Sequence, residues 1–116
     1  MAESERLICK SSDLKNGGLG CRFSVKTKNN EDLSAFVIRF KDVVHGYINR
    51  CAHIPVQLDW REGAFFTSEE DLLICSTHGA IYEPGTGLCV GGPCKGASLQ
   101  KLQINEKEGA VYLSND

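Results

Sequence analysis

Long apolar runs are missing from this chain. No stretch approaches the roughly 18 residues that a membrane-crossing helix needs. A basic excess is missing too: 13 Lys and Arg stand against 15 Asp and Glu, for a net charge of −2. A nucleic-acid partner needs a basic face, and this composition argues against one. The opening residues, MAESERLICK, are acidic where an export signal is basic and then apolar, and they lack a twin-arginine pair. They predict a cytoplasmic protein with no membrane partner. Helical periodicity is scarce, and the nearest window, NEDLSAFVIRF, is β-rich at its core. Repeats, low-complexity tracts and linkers are lacking, so the 116 residues read as a single domain, 1–116. Proline is sparse. All three prolines and seven of the twelve glycines fall within 51–98, which reads as loops on a β scaffold.

What the chain does have is β-branched and aromatic residues in short runs. RLICK, RFSVK, SAFVIRF, VVHGYIN, DLLICS, AIYE, LQKLQI and AVYLS are separated by pieces rich in Asn, Gly and Asp. This pattern predicts an all-β fold, an antiparallel sandwich or barrel. TSEED, at 67–71, is expected to cap a short turn of helix.

Six cysteines without an export signal are expected to be mostly reduced thiols. Two Cys/His pairs stand out among them. Cys51-x-His53 follows one apolar run, Cys75-x-x-His78 follows another, and 21 residues separate the pairs. Residues two apart on a strand face the same side, so Cys51 and His53 alone prove nothing. Together the pairs offer two thiolates and two imidazoles. One zinc ion in a Cys₂His₂ site is one candidate, although Cys-x-His is a tight bite for a single tetrahedral ion. The other is a 2Fe–2S cluster with Cys on one iron and His on the other, where the tight spacing spans two metals.

C-x-H followed by C-x-x-H resembles the Rieske signature, and the surroundings agree over residues 44–102. YINRCAH is similar to the strand and first cluster loop of Rieske ferredoxins. LLICSTHGAIYEPGTGLCVGGP is similar to the second loop, the hairpin after it and the Gly-Pro loop over the cluster. The resemblance implies a Rieske-like β sandwich or barrel with an inserted cluster-binding subdomain at about 48–98. It also implies one Rieske-type 2Fe–2S cluster bound by Cys51, His53, Cys75 and His78. The positions where respiratory Rieske proteins carry a disulfide are Val56 and Thr77 here, which fits a soluble ferredoxin instead. A serine and a tyrosine of high-potential relatives correspond to Ala80 and Tyr82. The resemblance therefore implies a reduction potential in the low-to-middle part of the Rieske range. Pro93 belongs to the covering loop, and the docking surface is expected around Ile54–Pro55, Gly79–Ala80 and Gly92–Pro93.

The implied role is an electron carrier, not an enzyme, docking transiently with a reductase and an oxygenase or similar acceptor. Catalysis by an oxygenase needs a second iron bound by two His and a carboxylate, and only His45 remains once the cluster has its pair. A small subunit of a nitrite-reductase-like enzyme and a zinc-stabilised interaction module are the competing readings. DWREGAFFTSEED, which lengthens the gap between the pairs, is expected to be a plain loop extension, with a surface lobe near the cluster as the alternative. Cys89 and Cys94 are expected to pack, Cys9 and Cys21 to need no function, and His45 to be a structural strand residue.

Overall fold

The structure, a computed structural model, describes residues 5–26, 32–50, 58–59, 63–67, 72–75, 79–92 and 96–114. Among them are ten strands and one 3-10 turn, Ser11–Asp13. The strands are β1 (Glu5–Lys10), β2 (Cys21–Lys26), β3 (Asp32–Phe40), β4 (Val43–Ile48), β5 (Leu73–Ile74), β6 (Ile81–Tyr82), β7 (Cys89–Gly91), β8 (Lys101–Leu102), β9 (Ile104–Lys107) and β10 (Ala110–Ser114). They form three sheets, ordered β1-β10-β9, β2-β3-β4-β8 and β5-β6-β7. Every strand pair is antiparallel, as the alternation of short runs and turns predicted.

β3 explains why its run does not alternate. Ala35, Phe36, Val37 and Ile38 are all buried, so the central sheet is covered on both faces. Phe36 and Ile38 pack with Tyr47, Leu58, Phe65, Leu73 and Tyr82. Val37, pointing the other way, packs with Leu14, Val44 and Val111, against the β1-β10-β9 sheet. A continuous apolar run is what a strand between two layers requires. Cys75, from the second Cys/His pair, belongs to the first of these two cores.

Two tight hairpins hold the scaffold. Lys41 and Asp42, between β3 and β4, both take positive φ, at 51° and 68°. That is the two-residue turn whose twist matches its flanking strands. Asn16 braces it by accepting from the Asp42 N–H at 2.8 Å and donating to Asp42 Oδ1 at 2.9 Å. Glu108 and Gly109 make the same kind of turn between β9 and β10.

The structure departs from the sequence reading in two places. LQKLQI is not one strand. It breaks at Gln103, so that Leu102 pairs with Gly46 in the central sheet while Ile104 pairs with Leu113 in another. The hairpin expected around Thr86-Gly87 is present: Cys89–Gly91 is a strand that pairs back onto β6. The extension after residue 58 is not simply surface: Leu58, Asp59 and Phe65 are buried, and the Phe65 ring stacks on Phe36 with centroids 3.9 Å apart. Apolar surface in this segment is worth more against the central sheet than in water. Residues 68–71 of the expected helix cap lie outside the described residues.

Candidate metal centre

Cys75 follows directly on β5 and is fully buried. Its N–H donates to the Ala80 carbonyl at 2.8 Å, and its own carbonyl accepts from the Gly79 N–H at 2.9 Å. These two backbone bonds bring together the ends of the segment that carries His78. Gly79 takes a φ of +75°, a conformation that L side chains rarely adopt. β5 is held in turn by Ile74 N–H donating to the Phe65 carbonyl at 2.9 Å, and by pairing with β6.

β7 approaches from the other side. Gly92 takes a φ of +89°, and a Cβ there would stand 2.8 Å from Ala80 Cα and 3.0 Å from the Gly79 carbonyl oxygen. Only glycine lets the two backbones come this close. Cys89 is buried, and its Sγ lies 3.1 Å from the Gly91 carbonyl oxygen. This agrees with the packing role expected of it. Cys89 N–H donates to the Ala97 carbonyl at 2.7 Å, and Gly96 N–H donates to the Cys89 carbonyl at 3.2 Å. Both ends of the 93–95 stretch are thereby tied to β7.

The first pair is approached from β4. Asn49, two residues before Cys51, is buried, and its N–H donates to the Ser34 carbonyl at 2.8 Å. Its side-chain oxygen accepts from the Leu58 N–H at 2.8 Å, and its amide nitrogen donates to Asp59 at 3.0 Å. Neither Asn49 nor Asp59 was singled out from the sequence. A polar residue at the end of an apolar strand reads as a turn, and only burial distinguishes it.

Of the expected site residues, Cys75, Ala80 and Tyr82 are described, and all three are fully buried in one cluster of side chains. Cys51, His53, His78 and Pro93 lie outside the described residues, as do Val56, Thr77 and Cys94. Among the described residues no three His, Cys, Asp or Glu side chains converge on a metal position. No helix of the described residues is long and apolar enough to cross a membrane.

His45 sits on β4, half-buried and paired with Ile38. Burial and the Lys101 ammonium push its pKa down, partly offset by Glu83. Tyr47 donates to the Pro84 carbonyl at 2.6 Å, and burial pushes its phenol pKa up. Cys9 and Cys21 bring their thiols together between β1 and β2. Burial first, then the hydrogen bond and charge of Cys21, push the Cys9 thiol up to about 12. A thiol so hard to ionise is a weak nucleophile.

A family model described as the Rieske [2Fe-2S] domain matches residues 4–106. The chain belongs to the Rieske family. No curated protein matches it significantly. Among solved structures it is similar to a chain from a complex of reduced oxygenase and oxidised ferredoxin in carbazole 1,9a-dioxygenase. The identity there is 22% and the TM-score 0.73, over 98% of this chain and 95% of the other. It is also similar to the ferredoxin of carbazole 1,9a-dioxygenase from Nocardioides aromaticivorans IC177, at 18% identity and TM-score 0.72, over 98% and 100%. A third similarity is to the terminal oxygenase of carbazole 1,9a-dioxygenase from Novosphingobium sp. KA1, at 21% and TM-score 0.72. There the Rieske chain covers 97% of itself but spans only 30% of the oxygenase. At these identities the likeness is one of fold.

The cofactor of the Rieske family is a 2Fe–2S cluster, and the described residues suit it. Cys75 would offer a thiolate from a segment whose backbone is already pinned at both ends, and Gly92 clears the approach of a second segment. The donor set of the two pairs, two thiolates and two imidazoles, is the one this cluster takes. When bound, such a cluster takes up and returns one electron.

Proposed function

We propose that the protein is a Rieske ferredoxin, carrying single electrons between a reductase and an oxygenase or a similar acceptor. Cys51 and Cys75 hold one iron, and His53 and His78 hold the other. The observation that carries this reading is the family match over residues 4–106, which contains both Cys/His pairs. The oxygenase as acceptor is supported by the ferredoxin of carbazole 1,9a-dioxygenase, whose whole length this chain covers.

Burial of Cys75, Ala80 and Tyr82 excludes water from one side of the site, while Gly92 stays exposed at its rim. Leu88 and Val90, 43% and 44% exposed on and beside β7, add apolar surface next to that rim. A small, weak contact of this kind suits a partner that must leave after each electron. The same reading places the protein in the cytoplasm, in keeping with Val56 and Thr77 where a disulfide would otherwise stand.

Iron and acid-labile sulfide analysis, with EPR of the reduced protein, tests the proposal. The expected result is two irons and two sulfides per chain with a Rieske-type signal. A colourless, zinc-containing, EPR-silent protein overturns it. Reduction by a generic ferredoxin reductase supports the shuttle, whereas stable co-purification with a large redox subunit makes the chain a fixed component.

A further inference from the structure

We propose that Asn49 and Asp59 form a buried clamp that positions the 51–57 segment, and with it Cys51 and His53, for the cluster. The inference rests on the functional reading above, which gives that segment half of the ligands.

Asn49 and Asp59 are the buried polar residues of the described core, 4% and 9% exposed. Asn49 Oδ1 accepts from the Leu58 N–H at 2.8 Å, so one side chain ties the two described ends that flank 51–57. Asn49 Nδ2 donates to Asp59 Oδ1 at 3.0 Å and to Ser34 Oγ at 3.3 Å. Asp59 Oδ2 accepts from the Gly63 N–H at 3.0 Å and lies 3.7 Å from Arg22 Nε. The bonds run from the segment's ends to Ser34 on β3 and Arg22 on β2. The described ends of the segment are therefore tied to the central sheet.

Donors and acceptors in this network match in only one arrangement. Asn49 must turn its oxygen to Leu58, which leaves its nitrogen facing Asp59. Asp59 must accept on both oxygens. A buried group left facing its own kind loses its bond and keeps its desolvation cost. Asn49→Asp sets two carboxylates face to face. Asp59→Asn leaves a donor facing a donor, at either Asn49 or Gly63. The double exchange, Asn49→Asp with Asp59→Asn, restores the hydrogen-bond matches with the roles reversed, while shifting the negative charge from residue 59, beside Arg22, to residue 49.

The test compares wild type, both single variants and the double exchange, all as cluster-loaded protein. Cluster release into a chelator is followed by visible absorbance, alongside EPR of the reduced state and the melting temperature. Each single variant is expected to release the cluster about ten-fold faster or more, the rate equivalent of one unmatched buried group. Each is also expected to change the EPR line shape, because the ligands are no longer held alike. The double exchange is expected to return both readouts towards wild type. If the singles cannot hold a cluster at all, recovery of cluster binding in the double exchange carries the same support. Lower melting temperatures with wild-type release and EPR overturn the clamp and leave an ordinary core network. A double exchange no better than the singles overturns it as well. A wild-type protein without iron instead overturns the functional reading, so the two failures are distinguishable.

Discussion

The described residues that flank the two Cys/His pairs are bonded by different means. Beside the second pair the main chain closes the stretch, with Cys75 bonded to Ala80 and Gly79 through backbone groups. Around the first pair a side chain does it, with Asn49 reaching Leu58 and leaning on Asp59. Backbone closure asks little of side chains, but it needs glycine where φ turns positive or backbones touch. Side-chain closure asks for particular polar residues, and for a buried place to keep them. The two halves of the site should therefore fail under different substitutions.

The largest effect is expected from Phe65→Ala. The ring stacks on Phe36 and fills the core under the segment that follows Asp59. Its loss should cost about 3–5 kcal/mol, read as a lower urea midpoint, and should loosen the first half of the site with it. An unchanged midpoint would mean that the 63–67 stretch is not part of the core. Gly92→Ala strikes the second half. The added Cβ meets Ala80 Cα at 2.8 Å, and φ is +89°. Strain and overpacking of about 2–3 kcal/mol are expected, with iron content falling below half of wild type. Full loading of this variant would show that the approach of β7 to Ala80 is not required.

Ala80→Ser sharpens the comparison without breaking either half. A hydroxyl at this buried position adds a donor towards the cluster. One such bond, about 1.4 kcal/mol, raises the midpoint by about 60 mV. Voltammetry showing no rise would count against the place assigned to residue 80. The smallest effect is expected away from the site. Arg39 holds Glu106 through bonds at 3.1 and 2.6 Å and also donates to the Leu14 and Ser11 carbonyls. The bond to Arg39 pulls the Glu106 carboxyl below its ordinary value. A depressed folded pKa stabilises above the unfolded value and is lost as pH falls through the folded one. Glu106→Gln should thus cost about 1 kcal/mol at pH 7 and lose part of the decline in stability below about pH 4.5. Its EPR spectrum should not change. A changed spectrum would mean that the scaffold and the site are not separable.

Much of this was legible in the chain. Short β-branched runs between turn residues mark an antiparallel architecture because strand and turn preferences are local. The spacing of Cys51, His53, Cys75 and His78 resembles the Rieske signature, and the family match over residues 4–106 contains it. LQKLQI misled because one apolar run can serve two sheets, and nothing near Gln103 announces the change. DWREGAFFTSEED misled because its charged residues hide Phe65, whose value lies in a partner, Phe36, far away in sequence.

By itself, the sequence determined which atoms could bind a cluster and the kind of fold that would present them. Only the tertiary structure decided what flanks the two pairs. Whether Asn49 is a turn residue or a buried clamp depends on Asp59 and Ser34 arriving beside it, and whether Gly92 is dispensable depends on Ala80. Those are contacts between distant residues, and burial gives them their energy. Residue preference and spacing record neither.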